Sequence, residues 1–212
     1  MGRDWIDWHR SYDDPASSLS QRLLVVTRLI RETLDAAPAG PIRVVSLCAG
    51  DGRDLILAAR GHQRAGDLNG LLVELDPSLA SAAEVDVGSL GGALTVANTD
   101  AGDTAGYAEA LPVDLLLLCG IFGNVSNDDI AGTIAAVPAM CRAGATIIWT
   151  RHRRAPDATP SIRRWFDAVG CTSTAFVSPD SGSFAIGRER FDDASPGGSL
   201  PDRLFSFRDD LW

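Results

Sequence analysis

Five short apolar runs, separated by segments long enough to form helices, restrict the fold of this chain more than any other feature. The runs are continuous and rich in Val, Leu and Ile, which is typical of strands buried on both faces of a parallel sheet. They lie at 42–48, 70–75, 93–97, 113–119 and 145–150. Crossover helices are predicted between them, at 53–65, 78–87, 102–110 and 126–140. Alternating strands and helices predict a doubly wound α/β sheet with helices on both faces.

The last third of the chain predicts antiparallel strands. A helix is expected at about 159–169, ended by Gly170, and the strand-like runs "STAFVS" and "SFAIGRERF" follow it. Only four residues, Pro-Asp-Ser-Gly, separate the two runs, and a turn this short joins antiparallel neighbours. The mostly parallel sheet is therefore expected to finish with an antiparallel hairpin. A further strand is predicted in "RLFSF", at 203–207.

The segment before the first strand predicts a long helix and an aromatic arm. Apolar residues recur at helical spacing from Leu19 to Leu34, and Pro38 ends the pattern. The preceding stretch, "DWIDWHRSYDDP", gathers aromatic residues with little periodicity. We interpret residues 1–40 as an N-terminal arm and helix on the substrate side, either a lid or a packed arm. With residues 41–212 they are expected to form one compact domain.

Composition and charge exclude several classes of protein. The 212 residues are 45% hydrophobic and 22% charged, as in soluble globular domains. A formal net charge of -9 argues against binding to nucleic-acid backbones. No apolar run approaches the roughly 20 residues of a membrane span, and the N-terminus lacks a signal-peptide pattern, so we expect a cytoplasmic protein. The four cysteines form no C-x-x-C pair, so no metal site is expected.

Small or acidic residues follow four successive predicted strands. In open α/β sheets, ligands bind at the carboxyl ends of strands, where the strand order reverses. The first strand runs into Cys48-Ala49-Gly50-Asp51-Gly52, where glycines let a ligand approach the backbone and a following helix offers free N–H groups. The second ends at Glu74-Leu75, and an acid at this distance from a glycine turn can accept both hydroxyls of a ribose.

The third and fourth strand exits extend this pattern. Asp100, followed by Ala101, can accept a hydrogen bond from an adenine amino group. Cys119 and Gly120 form another small turn over the same crevice. Each feature is common in proteins, but their appearance at four successive exits predicts a site for a nucleotide-like cofactor.

These segments resemble the motifs of class I S-adenosylmethionine-dependent methyltransferases. "VVSLCAGDGRDL" is similar to the glycine-rich first motif of that family, "LLVELDPSLA" to the second, "VANTDAGD" to the third and "VDLLLLCGIFGN" to the fourth. The resemblance covers about residues 42–190. It implies a Rossmann-like domain over 41–212, seven strands in the order 3-2-1-4-5-7-6, and S-adenosyl-L-methionine as cofactor.

The resemblance also implies how the cofactor lies in the crevice. Gly50 and Gly52 would hold its methionine part, Glu74 its ribose, and Asp100 with Ala101 its adenine. The full set of predicted cofactor-binding residues is Cys48, Ala49, Gly50, Asp51, Gly52, Glu74, Leu75, Asp100, Ala101, Cys119 and Gly120.

Two residues depart from the pattern of this family. Ser46 stands where the family usually has an acid, and Cys48 where it usually has a glycine. The acid normally serves the amino group of the cofactor. We therefore expect that contact to come from Asp51 or from a group of the N-terminal arm.

Methyl transfer from a sulfonium is an in-line displacement, so the protein mainly aligns the reactants and excludes water. An oxygen or nitrogen acceptor can still need a base. The candidate bases are His152, after the fifth strand, and His9, in the aromatic arm; the alternative for each is an ordinary surface or hydrogen-bonded histidine. Trp8, Tyr12 and Asn124 are the candidate substrate-binding residues. The aromatic pair could instead fasten the arm, and Asn124 could cap the next helix.

The sequence thus predicts a methyltransferase acting on a small-molecule acceptor through an oxygen or nitrogen nucleophile, since the acidic charge and short chain disfavour a nucleic-acid or large protein substrate. One alternative is a protein of the same fold that binds the cofactor without transferring a methyl group, such as a cyclase, an eliminating enzyme or a binding protein. Another is a nicotinamide dehydrogenase. The dehydrogenase fingerprint needs a third Gly or Ala where this chain has Leu55.

Overall fold

Seven strands form one sheet in the computed structural model of the protein, which describes residues 12, 14–179, 182–193 and 198–208. The strands are β1 Ile42–Leu47, β2 Leu68–Glu74, β3 Ala93–Asn98, β4 Val113–Leu118, β5 Cys141–His152, β6 Cys171–Val177 and β7 Phe184–Phe191. Their spatial order is β3-β2-β1-β4-β5-β7-β6. The first five run parallel, and β7 lies antiparallel between β5 and β6. The predicted sheet order and closing hairpin are confirmed.

Helices cover the sheet, and side chains at their N-termini fix where several of them begin. They are α1 Ser18–Ala36, α2 Arg53–Ala59, α3 Pro77–Val87, α4 Asn127–Ala135, α5 Val137–Met140 and α6 Thr159–Ala168. Ser17 caps α1, and Asp76 caps α3 by accepting hydrogen bonds from two backbone N–H groups. Ser126 forms a capping box with Asp129 at the start of α4. No helix among the described residues is long and apolar enough to span a membrane.

Successive residues of the central strands face two different cores, which explains why the strands read as continuous apolar runs. In β4, Leu115 and Leu117 belong to the core beneath α1, α2 and α3. Leu116 and Leu118 belong to the core beneath α4 and α6. Five of the six residues of β4 are buried, so the sequence shows no alternation of polar and apolar residues.

Two of the four predicted crossover helices were wrong in extent or in kind. The helix predicted at 53–65 ends at Ala59, because Gly61 follows with φ +69° in the left-handed region. No α-helix forms at 102–110, where there are two short 3₁₀ turns, Thr104–Gly106 and Ala108–Ala110. The backbone there runs so close to the preceding strand exit that a Cβ at Gly106 would lie 2.7 Å from Thr99 Cγ2.

The strand predicted at 203–207 was also wrong, since only one bridge forms there, between Asp103 and Arg203. The C-terminal segment 198–208 instead crosses the loops that follow β3 and β4. The Leu204 N–H donates to the Gly102 carbonyl at 2.9 Å, and the Arg208 N–H donates to the Asn124 carbonyl at 3.0 Å. Leu204 and its neighbour Phe205 are buried in the core. This segment therefore becomes a wall beside the carboxyl ends of the strands.

Candidate functional site

A cavity of about 440 Å³ opens at the carboxyl ends of β1 to β4. Its walls come from the four strand exits, from α1 and from the C-terminal segment. Ten of the eleven predicted cofactor residues line it: Cys48, Ala49, Gly50, Asp51, Glu74, Leu75, Asp100, Ala101, Cys119 and Gly120. The four strand ends that were predicted to form one site therefore line a single cavity. Its size is typical of small-molecule pockets.

Gly52, the eleventh predicted residue, does not line the cavity but shapes the turn from behind. It has φ +71°, and a Cβ atom there would lie 2.6 Å from Leu72 Cδ2 and 2.9 Å from Ile56 Cδ1. A side chain at this position would thus strain the backbone and collide with β2 and α2. Gly52 lets α2 pack closely against the sheet.

Glu74 is held at the cavity wall by backbone groups from two strand exits. Its Oε2 accepts a hydrogen bond from the Gly50 N–H at 2.7 Å, and its Oε1 accepts one from the Asp76 N–H at 2.9 Å. Glu74 is 9% exposed and borders the cavity. Each carboxylate oxygen retains capacity for a second hydrogen bond. Glu74 can therefore accept two hydroxyl groups from a ligand without losing its own support.

Asp100 is positioned in a similar way on the wall formed by the β3 exit. Its Oδ1 accepts a hydrogen bond from the Gly102 N–H at 2.8 Å, and its Oδ2 accepts one from Arg203 Nη2 at 2.7 Å. The arginine belongs to the C-terminal segment, which sequence reasoning did not connect with the site. Arg203, Phe207 and Arg208 all line the cavity. No local pattern identifies them, because the segment reads as an ordinary strand.

Cys48 adopts a conformation that side chains rarely take. Its φ is +54°, and it is the one described residue other than glycine with a positive φ. The thiol lies beside Glu74 and Asp100. Burial first, and then the negative charges of these two carboxylates, raise the pKa of Cys48. The thiol therefore stays neutral in the cavity.

A cluster of polar side chains lines the cavity around α1 and α2. Arg22 Nη2 donates a hydrogen bond to the Tyr12 hydroxyl at 2.8 Å, and the Arg53 guanidinium stacks over the Tyr12 ring at 4.4 Å. Cys119 hydrogen bonds to Asp54, and burial raises the pKa of both groups. Of these five, Tyr12 was predicted for substrate and Cys119 for cofactor, whereas Arg22, Arg53 and Asp54 were missed. Asp54 could have been suspected from its place in the first turn of α2, near the end of the first motif, but Arg22 reaches the site only through the packing of α1.

His152 and Asn124 lie beside the cavity rather than on its wall. A Cβ atom added at Gly123 would be 3.0 Å from Cδ2 of His152, so this ring packs against the loop that follows β4. Burial, followed by the charges of Arg151 and Arg154, lowers the pKa of His152. Asn124 donates through Nδ2 to the Gly120 carbonyl and thus holds the loop, while Ser126 caps α4 in its place.

Two predicted residues lie outside the described part of the chain, His9 and Trp8. Within the described residues, no group of three or more His, Cys, Asp or Glu side chains is arranged to hold a metal ion.

The chain is similar to solved structures of methyltransferases. It matches an O-methyltransferase family protein from Burkholderia thailandensis with a TM-score of 0.64 and 18% identity, over 84% of this chain and 57% of that one. It matches magnesium protoporphyrin IX methyltransferase from Synechocystis PCC 6803, solved with bound S-adenosylmethionine, with a TM-score of 0.65 and 13% identity, over 89% and 92% of the chains.

A third similar structure is the cyclase SpnF, with a TM-score of 0.59 and 14% identity over 84% of this chain and 85% of that one. No model of a known protein family and no curated protein matches the sequence. At these identities the structural likeness shows the fold: the chain has the class I methyltransferase fold.

Proposed function

We propose that this protein is an S-adenosyl-L-methionine-dependent methyltransferase acting on a small molecule through an oxygen or nitrogen nucleophile. The observation that carries the proposal is the placement of Glu74. Its carboxylate is buried, is oriented by the N–H groups of Gly50 and Asp76, and borders the cavity in the class I methyltransferase fold. A rigid acceptor pair at this point suits the two hydroxyls of a ribose.

The other residues around the cavity fit the remaining parts of such a cofactor. Asp100 would accept from the adenine amino group, while Leu75 and Ala101 would contact its ring. Leu75 is 65% exposed and Phe207 is 39% exposed, so both offer apolar surface to a flat ring at the cavity mouth. Gly120 has φ +82°, and a Cβ there would meet no atom within 4 Å. Its bare backbone therefore leaves space beside the methionine part.

When bound, the cofactor would supply an already activated methyl group, so the chain's own residues would mainly position the acceptor and exclude water. Leu23 and Val26 of α1 form an apolar wall of the cavity. Since a thiolate is far more nucleophilic than a thiol, the raised pKa values of Cys48 and Cys119 keep these side chains from competing for the methyl group.

His152 remains the proposed base within the described residues. Its lowered pKa keeps the ring neutral near pH 7, and a neutral imidazole can accept a proton. The ring packs on Gly123, in the loop that also carries the cavity residue Gly120. Residues 1–40 would form the substrate side of the site, as Tyr12 and α1 already border the cavity. The net charge of -9 supports a small substrate rather than a nucleic acid. A cytoplasmic location, expected from the sequence, is part of the same proposal.

A second candidate function is binding of the same cofactor without methyl transfer. The similarity to the cyclase SpnF favours it, as does the absence of a histidine from the described cavity wall. In that case the cavity would hold the cofactor while the neighbouring space shaped another reaction or a partner.

Isothermal titration with S-adenosylmethionine and S-adenosylhomocysteine tests the proposal. Micromolar binding of both is expected, and incubation with panels of phenols, carboxylates and amines should then yield S-adenosylhomocysteine. Binding without any turnover across the panels would favour the second function. Micromolar binding of NAD in place of either nucleoside would contradict both.

A further inference from the structure

The β1 residue that should serve the amino group of the cofactor carries no charge in this chain. Ser46 is 1% exposed within β1, and its neutral hydroxyl cannot replace the negative charge of a carboxylate. A cofactor that ends in an amino acid brings both an ammonium and a carboxylate into the cavity. Both charges need partners, because an unpaired charge away from water is costly.

Asp51, the nearest acid in sequence, is bound by the neighbouring arginine. Arg53 Nε lies 2.8 Å from Asp51 Oδ1 and 2.9 Å from Oδ2, and Arg53 Nη2 also contacts Oδ2. This two-nitrogen pairing directs the carboxylate toward the guanidinium and compensates its charge. Asp51 is therefore a poor candidate for the missing acid.

Asp54 and Arg22 provide opposite charges on the wall of the same cavity. Both side chains line it, although they belong to different helices that are far apart in sequence. The two charges interact electrostatically. Cys119 hydrogen bonds to Asp54, and Tyr12 accepts a hydrogen bond from Arg22, so each charged group is oriented by a second side chain.

We propose that Asp54 and Arg22 form the subsite for the amino-acid end of the cofactor, where Asp54 accepts from the α-ammonium and Arg22 donates to the α-carboxylate. A planar guanidinium is well suited to bind a carboxylate with two parallel hydrogen bonds. The α-ammonium of the ligand in turn places a compensating positive charge beside the carboxylate of Asp54. This assignment rests on the proposed function. In it, Asp54 on α2 takes the role of the acid that is missing at Ser46, and Arg22 on α1 binds the carboxylate.

The subsite predicts selectivity between two nucleosides that share the adenosine part. S-adenosylhomocysteine carries the amino-acid end, whereas 5′-methylthioadenosine ends in a methyl thioether. Asp54→Asn and Arg22→Gln should each weaken S-adenosylhomocysteine about tenfold or more, the loss of one charge-assisted hydrogen bond. Affinity for 5′-methylthioadenosine should stay within about twofold, because neither residue faces its thioether end.

Isothermal titration of the wild-type chain and the variants with both nucleosides makes this test. Asp86→Asn is the matched control, because it removes one negative charge from a surface ion pair with Arg60, away from the cavity. Thermal unfolding of each protein checks that the variants fold. If Asp54→Asn does not fold, Arg22→Gln on α1 still gives an independent measurement.

Three results would overturn the assignment. Asp54→Asn and Arg22→Gln could leave S-adenosylhomocysteine affinity unchanged, or weaken both nucleosides equally, or Asp51→Asn could give the selective loss instead. In each case the wild-type chain still binds S-adenosylhomocysteine, and only the subsite is wrong. If the wild-type chain binds neither nucleoside, the cofactor assignment itself fails and the subsite fails with it.

Discussion

Glu74 accepts a hydrogen bond from the Gly50 N–H at 2.7 Å, across 24 positions of the sequence, and this bond joins the end of β2 to the turn that follows β1. The carboxylate thus has two tasks, since it holds the turn and faces the cavity. A residue with this double role links the stability of the empty protein to the affinity for its ligand.

Glu74→Ala should therefore weaken two measured quantities. The free energy of S-adenosylhomocysteine binding should fall by about 1–3 kcal/mol, from the loss of a charge-assisted contact. The free energy of unfolding of the ligand-free protein should also fall by about 1–3 kcal/mol, because the N–H groups of Gly50 and Asp76 lose their acceptor. Titration calorimetry and urea unfolding measure the two effects. Glu84→Ala, on the exposed side of α3, is the control, and an equal effect there would contradict the assignment.

Cys48 offers a test of backbone strain. Cys48→Gly should be more stable than Cys48→Ala by about 1 kcal/mol, since both lose the thiol but only glycine adopts φ +54° without strain. At ordinary positions of a helix or strand the order is the opposite, because glycine there costs about 0.5–1 kcal/mol relative to alanine. Chemical unfolding of both variants measures the difference. The neighbouring substitution Ala49→Gly should destabilise, and a gain there as well would show that the turn tolerates glycine generally.

The cavity thiols should react slowly with alkylating reagents. Burial raises the pKa of Cys48 and of Cys119 well above the ordinary thiol value, so little thiolate is present at pH 7.5. Each should be alkylated by iodoacetamide at least about tenfold more slowly than glutathione under the same conditions. Peptide mass spectrometry resolves the two sites. Rapid modification of either thiol in folded protein would refute its proposed neutrality.

Glu189 should make stability depend on pH. It is 1% exposed in β7, it accepts a hydrogen bond from Trp149 Nε1 at 3.1 Å, and burial raises its pKa. A raised pKa means that the folded protein favours the protonated form of Glu189. The contribution of Glu189 to the free energy of unfolding is therefore complete below the unfolded-state pKa and is lost as pH rises through the folded-state pKa. Glu189→Gln keeps an acceptor for Trp149 and removes this loss.

The stability of Glu189→Gln relative to the wild-type chain should accordingly increase between pH 4 and pH 7. Unfolding free energies measured at intervals across that range give the comparison. Glu84→Gln, on an exposed face, is the matched control for removal of one carboxylate. A constant difference between Glu189→Gln and the wild-type chain at all pH values would mean that the pKa of Glu189 is the same in the folded and unfolded states, and would contradict the raised pKa.

The C-terminal segment provides a matched pair of phenylalanines. Phe205 is 1% exposed in the core, whereas Phe207 is 39% exposed at the cavity, and the two rings pack edge to face with centroids 5.9 Å apart. Phe205→Ala should lower the free energy of unfolding by about 3–5 kcal/mol. Phe207→Ala should lower it by less than about 1 kcal/mol. Urea unfolding of both distinguishes them, and equal losses would show that the segment is not anchored through Phe205.

The sheet could be predicted from the sequence because its signals are local. The central strands β1 and β4 are buried on both faces, so their residues are mostly apolar. The short connection after β6 permits only an antiparallel partner. The strand exits follow from the same reasoning, since parallel strands place their carboxyl ends along one edge. The positions of Glu74 and Asp100 at the cavity could therefore be predicted from sequence patterns alone.

Other parts of the site depend on contacts between distant segments, which no local pattern encodes. Arg22 borders the cavity because α1 packs against α2, and Arg203 meets Asp100 because the buried Leu204 and Phe205 fix the C-terminal segment. The helix predicted at 102–110 is replaced by turns for the same kind of reason, since Gly106 must pass beside Thr99. Periodicity and turn chemistry determined the sheet and the line of strand exits. Only close packing in three dimensions decided which charged side chains meet around the cavity.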